Sequence, residues 1–325
     1  EGQSELRYAE EDARRMADLL SQLGRFPKAN VRVLLGPDRS RLMAALRELE
    51  ALVRGGRQRG EQVQFVFYYS GHARANAIQL GSDELPLGEL RRQILELPAT
   101  LSLVVLDACQ SGAFSRVKGA EPAESFSYNS VSRLRTSGVA VMASSSASEL
   151  SQESEALRGS FFTHHLMVGL RGAGDQDRDG IVSLGEAYRY AYGRTLSATA
   201  RTSVGRQHVT LETELRGQGD VPITYPREAD AQLELAAALE GDLLIEEGDV
   251  VLAELYKAKG QRVRLALPAG AYSALLRRAD GLEECGLHVS AQRIAQLSPA
   301  DCRPLSEDEA RAKGYAPPGS AAPAQ

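Results

Sequence analysis

The stretch LSLVVLDAC, residues 101–109, carries the pattern that decides the fold. Residues 101–106 are apolar apart from one serine, and a short continuous apolar run is typical of a strand that is buried on both faces of a parallel sheet. Asp107, Ala108 and Cys109 follow this strand directly. The stretch therefore predicts a carboxylate and a thiol at the carboxyl end of a buried strand.

Two further apolar runs flank this stretch. Residues 63–69 (VQFVFYY) lead into Ser70, Gly71 and His72, and residues 139–143 (VAVMA) lead into a serine-rich loop. Helical spacing of apolar residues, or an apolar run of helical length, predicts helices over 6–23, 42–53, 86–97, 161–170 and 184–200. A shorter strand is predicted at 31–35. This alternation predicts an α/β fold with a doubly wound, mostly parallel sheet and helices on both faces.

His72 and Cys109 both come just after the carboxyl end of a predicted strand, where functional residues gather in such sheets. A thiolate nucleophile needs a neighbouring base, and His72 is the candidate general base for Cys109. The backbone N–H groups of Gly71 and Cys109 are the candidate oxyanion donors. A buried structural cysteine with an unrelated histidine is the alternative interpretation.

The chain has 325 residues, and its net charge of −5 favours neither nucleic acid nor an anionic membrane as a partner. No apolar run approaches the ~20 residues that a spanning helix requires. Residues 1–217 are predicted to form the α/β domain. Short strand-like segments separated by glycine and proline predict a small β-sandwich over 218–305, and 306–325 are predicted to be a disordered tail.

YYSGHA (68–73) and DACQSG (107–112) resemble the two catalytic motifs of caspases and metacaspases, in the same order. LRYAEEDA (6–13) resembles the first-helix motif of the bacterial members, and the segments 143–153 and 159–163 resemble their substrate loop and late helix. The resemblance covers about residues 5–215 and implies a caspase-like fold with cysteine endopeptidase activity on protein or peptide substrates. It also implies a central strand before the first helix; no such run precedes residue 6, so we expect residues that come before it to be missing from this sequence.

By the same resemblance, Asp107 matches the acid that metacaspases use to bind Arg or Lys at P1, the substrate residue before the cleaved bond. Glu149 and Glu153 lie in the loop expected to border that pocket. The alternative for Asp107 is a strand-end acid bonded to backbone amides. The loop from 115 to 135 stands where caspases are cut between subunits, so self-cleavage is predicted at one of its basic residues, which are Arg116, Lys118, Arg133 and Arg135. An ordinary charged surface loop is the alternative.

Residues 175–186 (DQDRDGIVSLGE) match the calcium-loop pattern D-x-D-x-D-G-x5-E. The expected oxygen ligands are Asp175, Asp177, Asp179, the Ile181 carbonyl, Ser183 and Glu186. We expect Ca²⁺ to be structural here, with no cofactor needed for catalysis. The alternative is an acidic loop whose Asp residues cap the following helix.

Cys285 and Cys302 form a disulfide or remain two reduced thiols. A bridge suits the periplasm or another extracytoplasmic setting, which we favour over the cytoplasm. The predicted β-sandwich over 218–305 is expected to be an accessory module that binds another protein, targets the enzyme or braces it. Two other functions compete with the endopeptidase: a non-catalytic, calcium-binding interaction protein of caspase fold, and a cysteine hydrolase or transferase acting on small molecules.

Overall fold

The structure is a computed structural model that divides into two units. The first unit comprises Glu1–Met167 with Ser183–Thr224, and the second comprises Val168–Val182 with Tyr225–Gln325. The residues that the structure describes are 6–74, 76–108, 136–146, 149–200, 202–217 and 219–312.

The helices and strands are numbered in chain order. The α-helices are α1 Ala9–Leu23, α2 Arg39–Gln58, α3 Leu87–Glu96, α4 Phe161–Val168, α5 Leu184–Thr199 and α6 Glu307–Ala312. The strands are β1 Gln64–Ser70, β2 Ala73–Arg74, β3 Ala77–Leu80, β4 Asp83–Pro86, β5 Leu101–Asp107, β6 Ser137–Ala143, β7 Glu153–Ser154, β8 Gly159–Ser160, β9 Val182–Ser183, β10 Thr210–Arg216, β11 Pro222–Thr224, β12 Ala231–Leu235, β13 Gly241–Glu247, β14 Val250–Lys257, β15 Val263–Ala266, β16 Gly270–Arg278, β17 Gly281–Val289, β18 Arg293–Leu297 and β19 Cys302–Pro304.

The central sheet of the first unit has the strand order β1-β5-β6-β10. β1 and β6 run parallel to β5, and β10 runs antiparallel to β6. Every residue of β5 is buried, as expected for a strand with neighbours on both edges and cover on both faces. The α/β class and the three apolar strands predicted from the sequence are confirmed.

One face of this sheet is covered by α2 and α3. Leu42 and Leu46 of α2 and Ile94 of α3 share a core cluster with Phe67 of β1 and Val104 of β5. Asp38 begins α2 by accepting a hydrogen bond from the Arg41 N–H at 2.7 Å, as a side-chain cap does. This packing fixes β1 against β5, and both strands lead into the candidate site.

The prediction of a strand at 31–35 is wrong. These residues belong to no described strand, and Val33 is 43% exposed. A strand requires a hydrogen-bonded neighbour, and an apolar pattern of five residues cannot supply one.

The second unit contains two sheets, with strand orders β15-β12-β18 and β14-β13-β16-β17-β19. A disulfide between Cys285 and Cys302 joins paired positions of β17 and β19. Gly172 of this unit has φ +119°, and a side chain there would meet the Arg264 carbonyl at 2.4 Å. Only glycine tolerates both conditions. The two sheets confirm the β-rich carboxyl-terminal part that the sequence predicts.

The predicted disordered tail from residue 306 needs one correction. Glu307–Ala312 forms α6, and Ser306 precedes it with its hydroxyl accepting the Glu309 N–H at 3.3 Å. Ala310 is buried against Leu275 and Leu282. The buried Ala310, the Ser306 cap and the ion pair of Glu309 with Arg303 hold this helix in place, whereas the composition of 306–325 as a whole is polar and rich in alanine and proline. Residues 313–325 lie outside the described part of the chain.

Candidate active site

β1 and β5 end side by side at one edge of the central sheet. Ser70 pairs with Asp107, and the Gly71 N–H donates to the Asp107 carbonyl at 3.0 Å. His72 lies two residues after the end of β1. Cys109 comes two residues after Asp107 in the sequence and lies outside the described residues. The register of the two strands therefore places Ser70 and Asp107, which stand two positions before His72 and Cys109 in the sequence, side by side.

The backbone of His72 is fixed by Tyr69. The Tyr69 hydroxyl donates to the His72 carbonyl at 2.7 Å, and the Gln79 N–H donates to the same carbonyl at 2.9 Å. A side chain at Gly71 would meet the Tyr69 hydroxyl oxygen at 2.4 Å. Glycine is thus needed at this position because the tyrosine folds back across it.

The prediction that the Gly71 N–H binds an oxyanion disagrees with the structure. That N–H is already bonded to the Asp107 carbonyl, so it continues the ladder between β1 and β5. A donor that is used in the sheet is not directed at a substrate. The other predicted oxyanion donor, the N–H of Cys109, lies outside the described residues.

Asp107 is 3% exposed and is surrounded by hydroxyl groups. Ser151 Oγ donates to Asp107 Oδ1 at 2.6 Å, and Thr163 Oγ1 donates to Oδ2 at 2.6 Å. Ser160 Oγ makes a short hydrogen bond to the same Oδ2. The hydrogen-bond partners of this carboxylate among the described residues are therefore side-chain hydroxyls, and not the backbone amides that the alternative interpretation predicted.

A second acid, Asp12 of α1, lies beside Asp107 and was missed in the sequence analysis. Asp12 is fully buried, and its Oδ2 accepts the Ser160 N–H at 3.0 Å. Arg15 donates to its Oδ1 at 2.5 Å. The pKa of Asp12 is raised to about 7, mainly by burial and also by the nearby Asp107, against the lowering effect of the Ser160 N–H and Arg15. In the sequence, Asp12 could have been noticed as a charged residue on the helix face that also carries the buried Met16 and Leu19.

Glu149 and Glu153 are engaged by other parts of the first unit. Glu149 Oε1 lies 2.7 Å from Nδ1 of His208, and its Oε2 accepts the His208 N–H at 3.0 Å. Glu153 accepts the N–H groups of Arg7 and Tyr8, at 3.2 and 3.3 Å, at the amino end of α1. Their assignment to the substrate pocket stays a prediction, whereas Asp12 and Asp107 are the acids that lie next to each other.

The predicted calcium loop, residues 175–186, is divided between the two units after Val182. In the part that belongs to the second unit, three carboxylates accept backbone N–H groups of the loop itself: Asp175 from Gly180, Asp177 from Asp179, and Asp179 from Ile181. One carboxylate oxygen of Asp175 lies within 4.8 Å of one of Asp177. This loop thus turns back on itself through its acidic side chains.

In the part of the loop that belongs to the first unit, Ser183 and Glu186 form a reciprocal cap at the start of α5. Ser183 Oγ accepts the Glu186 N–H, and Glu186 Oε2 accepts the Ser183 N–H at 3.0 Å. The cap of α5 is therefore made by Ser183 and Glu186, whereas the aspartates that the alternative interpretation named as capping residues bond within their own loop.

The four candidate self-cleavage residues lie outside the described part of the chain. Among the described helices, none is both long enough and apolar enough to cross a membrane.

Comparison with known proteins gives a family and a distant structural likeness. The family model of the caspase domain matches residues 1–207. A crystal structure of caspase-1 from Spodoptera frugiperda aligns with a TM-score of 0.46 at 13% identity, covering 65% of this chain and 82% of that chain. A structure of pro-sf-caspase-1 aligns with a TM-score of 0.42 at 11% identity, covering 62% and 77%. No curated protein matches. Because the family model spans more than half of the chain, the protein belongs to the caspase-domain family.

Proposed function

We propose that this protein is a cysteine endopeptidase that cleaves after Arg or Lys, with Cys109 as the nucleophile and His72 as its general base. The observation that supports the dyad is the pairing of Ser70 with Asp107, because each of these residues stands two positions before one member. Membership in the caspase-domain family gives cysteine peptidase chemistry as the expected class.

In this mechanism His72 accepts the proton of the Cys109 thiol, and the thiolate sulfur attacks the scissile carbonyl carbon. The electron pair of the C=O bond moves to oxygen and then returns to expel the amine, which takes the proton from His72. Water then attacks the thioester while His72 removes one of its protons. Collapse of this second intermediate releases the carboxylic acid and returns the proton to the Cys109 sulfur.

The preference for a basic P1 residue is supported by the neighbouring buried acids Asp12 and Asp107. The Asp107 carboxylate attracts a guanidinium or ammonium group and disfavours an acidic side chain, and Asp12 adds to this attraction where it has lost its proton. Arg15 neutralises part of the charge on Asp12 from its own helix, whereas the described hydrogen-bond partners of Asp107 are uncharged.

A set of fluorogenic peptides that differ only at P1 tests the proposal. We expect turnover with Arg and Lys, little with Asp, and none from Cys109→Ala. Faster turnover of the P1-Asp peptide would reject the basic preference. Equal turnover by wild type and Cys109→Ala would reject the peptidase itself.

We also propose that one of the basic residues between 115 and 135 is cut by the enzyme itself. The support is the preference for Arg and Lys together with the place of this loop in the sequence. Intact mass spectrometry of wild type and Cys109→Ala compares the two chains directly. Cleavage only in wild type is expected, and identical intact masses would reject self-processing.

We further propose that residues 175–186 bind one Ca²⁺, supported by the full sequence pattern and by the close approach of the Asp175 and Asp177 carboxylates. Carboxylate and carbonyl oxygens are the ligands that Ca²⁺ prefers, and the ion would brace the loop rather than take part in catalysis. Calorimetry with CaCl₂ should give heat for wild type and for the control Asp249→Ala, an exposed acid outside the loop, but not for Asp177→Ala. Equal heats for all three would exclude a site here.

A further inference from the structure

Ser160 lies between the two buried acids and bonds to both of them. Its backbone N–H donates to Asp12 Oδ2 at 3.0 Å, and its hydroxyl donates to Asp107 Oδ2. The residue is 3% exposed and ends the β7–β8 hairpin directly before α4. A single residue therefore fixes the distance between the two carboxylates.

The direction of the Ser160 hydroxyl hydrogen is determined by its neighbours. The Thr163 N–H donates to Ser160 Oγ at 2.9 Å, which occupies one lone pair of the oxygen. A serine hydroxyl carries one hydrogen, and the short contact with Asp107 uses it. Ser160 is thus oriented by the first turn of α4 and in turn orients the carboxylate.

Thr163 is oriented in the same way by Tyr68. The Thr163 hydroxyl hydrogen is directed at Asp107, so in the 2.7 Å contact between Tyr68 and Thr163 the tyrosine is the donor. Burial raises the pKa of Tyr68 well above its usual value, and the two nearby acids add to this, so the phenol keeps its proton. Ser151 completes the set from the opposite side, at Oδ1 of Asp107.

We infer that Ser151, Ser160 and Thr163 are positioning residues for substrate selection, which hold the Asp107 carboxylate in the orientation that receives a basic P1 side chain. This inference rests on the proposed function. Three neutral donors fix the direction of the carboxylate oxygens without supplying a cation, whereas a lysine or arginine in their place would cancel the charge that selects the substrate.

The test compares two peptides that differ only at P1, one with arginine and one with citrulline, its uncharged isostere. The ratio of their kcat/KM values measures what the pocket charge contributes to selection. Ser160→Ala removes the donor to Asp107 but keeps the N–H that bonds to Asp12. We expect the ratio to fall about tenfold, the scale of one hydrogen bond to a charged group, mainly through a higher KM for the arginine peptide.

Ser154→Ala is the matched control. Ser154 lies in the same hairpin and its hydroxyl accepts the Leu157 N–H, but it bonds to neither acid. Its ratio should equal that of wild type. If Ser160→Ala does not fold, Ser151→Ala takes its place, because Ser151 is only half-buried and donates to the other oxygen of Asp107.

The outcomes separate the two proposals. A wild-type ratio near one would show that the enzyme does not select a basic P1, and both the proposed preference and this inference would fall. A wild-type ratio well above one that is unchanged in Ser160→Ala and in Ser151→Ala would overturn the inference alone. An equal loss of activity on both peptides would also overturn it, since that result indicates general damage rather than loss of selection.

Discussion

Asp12 occupies a position on α1 that normally takes an apolar residue. Met16, Leu19 and Leu23 continue the same buried stripe, and Asp12 is as completely buried as they are. Burial without a fully compensating partner favours the neutral carboxyl, which explains why the pKa of Asp12 rises to about 7. A costly residue that is kept in a core position is a signal of function, and here it lies beside the acid two residues before Cys109.

The raised pKa of Asp12 predicts how stability depends on pH. The folded protein holds the Asp12 proton up to about pH 7, whereas the unfolded chain releases it near pH 4. The stabilising contribution is therefore complete below about pH 4 and is lost as the pH rises through 7. In a Cys109→Ala background, Asp12→Asn should remove this dependence, which amounts to up to about 4 kcal/mol.

Urea unfolding of both proteins at pH 4 and pH 8 measures this difference. The free energy of unfolding of the parent should fall relative to that of the Asp12→Asn protein as the pH rises. A difference between the two proteins that is the same at both pH values would contradict the raised pKa.

At the scale of elements, the strands that lead to the site could be predicted from the sequence, but the outer strand of the sheet could not. β1, β5 and β6 are short continuous apolar runs, which the sequence displays directly. β10 reads TLETELR and has no fully buried residue, so its place beside β6 depends on backbone pairing and on the ion pair of Glu214 with Arg91, which an apolar pattern does not reveal. The segment 31–35 shows the reverse error, an apolar pattern without a neighbour.

The candidate site was predicted where a residue follows a strand and missed where it depends on distant partners. His72 and Asp107 are found from local patterns, but the hydrogen bond from Ser160 to Asp12 joins residues 148 positions apart. Glu149 and Glu153 were assigned to the substrate pocket by their position in the sequence. The hydrogen bond between Glu153 and Tyr8 spans 145 positions, and that between Glu149 and His208 spans 59. Sequence spacing does not reveal such pairings.

The amino end of α1 gives a prediction at this scale. Tyr8 precedes the helix without a side-chain cap, and Glu153 supplies the missing acceptor from β7. Glu153→Ala should lower the free energy of unfolding by about 1 kcal/mol, as loss of a helix cap does. Glu155→Ala is the control, because its ion pair with Arg7 is exposed and should contribute little.

Thermal unfolding of both variants in the Cys109→Ala background gives the comparison. Equal melting temperatures for Glu153→Ala and Glu155→Ala would contradict the capping role. In the active enzyme, a higher KM for the P1-Arg peptide in Glu153→Ala at unchanged stability would instead support the original assignment to the pocket.

At the scale of the whole molecule, the second unit is formed from two separate stretches of the chain. Val168–Val182 belongs with Tyr225–Gln325 by its contacts, which a boundary read along the sequence at 217 does not capture. Within this unit, the disulfide links the edge strand β19 to β17. The spacing of the two cysteines left the bond open, because pairing depends on the register between their strands.

The disulfide predicts a loss of stability on reduction. The cysteines are 17 residues apart, and closing a loop of this size stabilises the folded state by about 3 kcal/mol in the chain-entropy description. Replacing both with serine, again with Cys109→Ala, should lower the urea midpoint of the second unit. Dithiothreitol should lower the midpoint of the parent but leave that of the double variant unchanged. Labelling of both thiols by iodoacetamide before reduction would contradict the bond.

The central claim is that one thiol, activated by one imidazole, is the nucleophile of this protein. An irreversible peptidyl ketone inhibitor with arginine at P1, followed by peptide mapping, tests it most directly. We predict one equivalent of adduct on Cys109, no adduct in Cys109→Ala, and labelling at least about 100-fold slower in His72→Ala, as expected when a general base is lost. Labelling of Cys109 at the same rate with or without His72, or an adduct on another residue, would contradict the account.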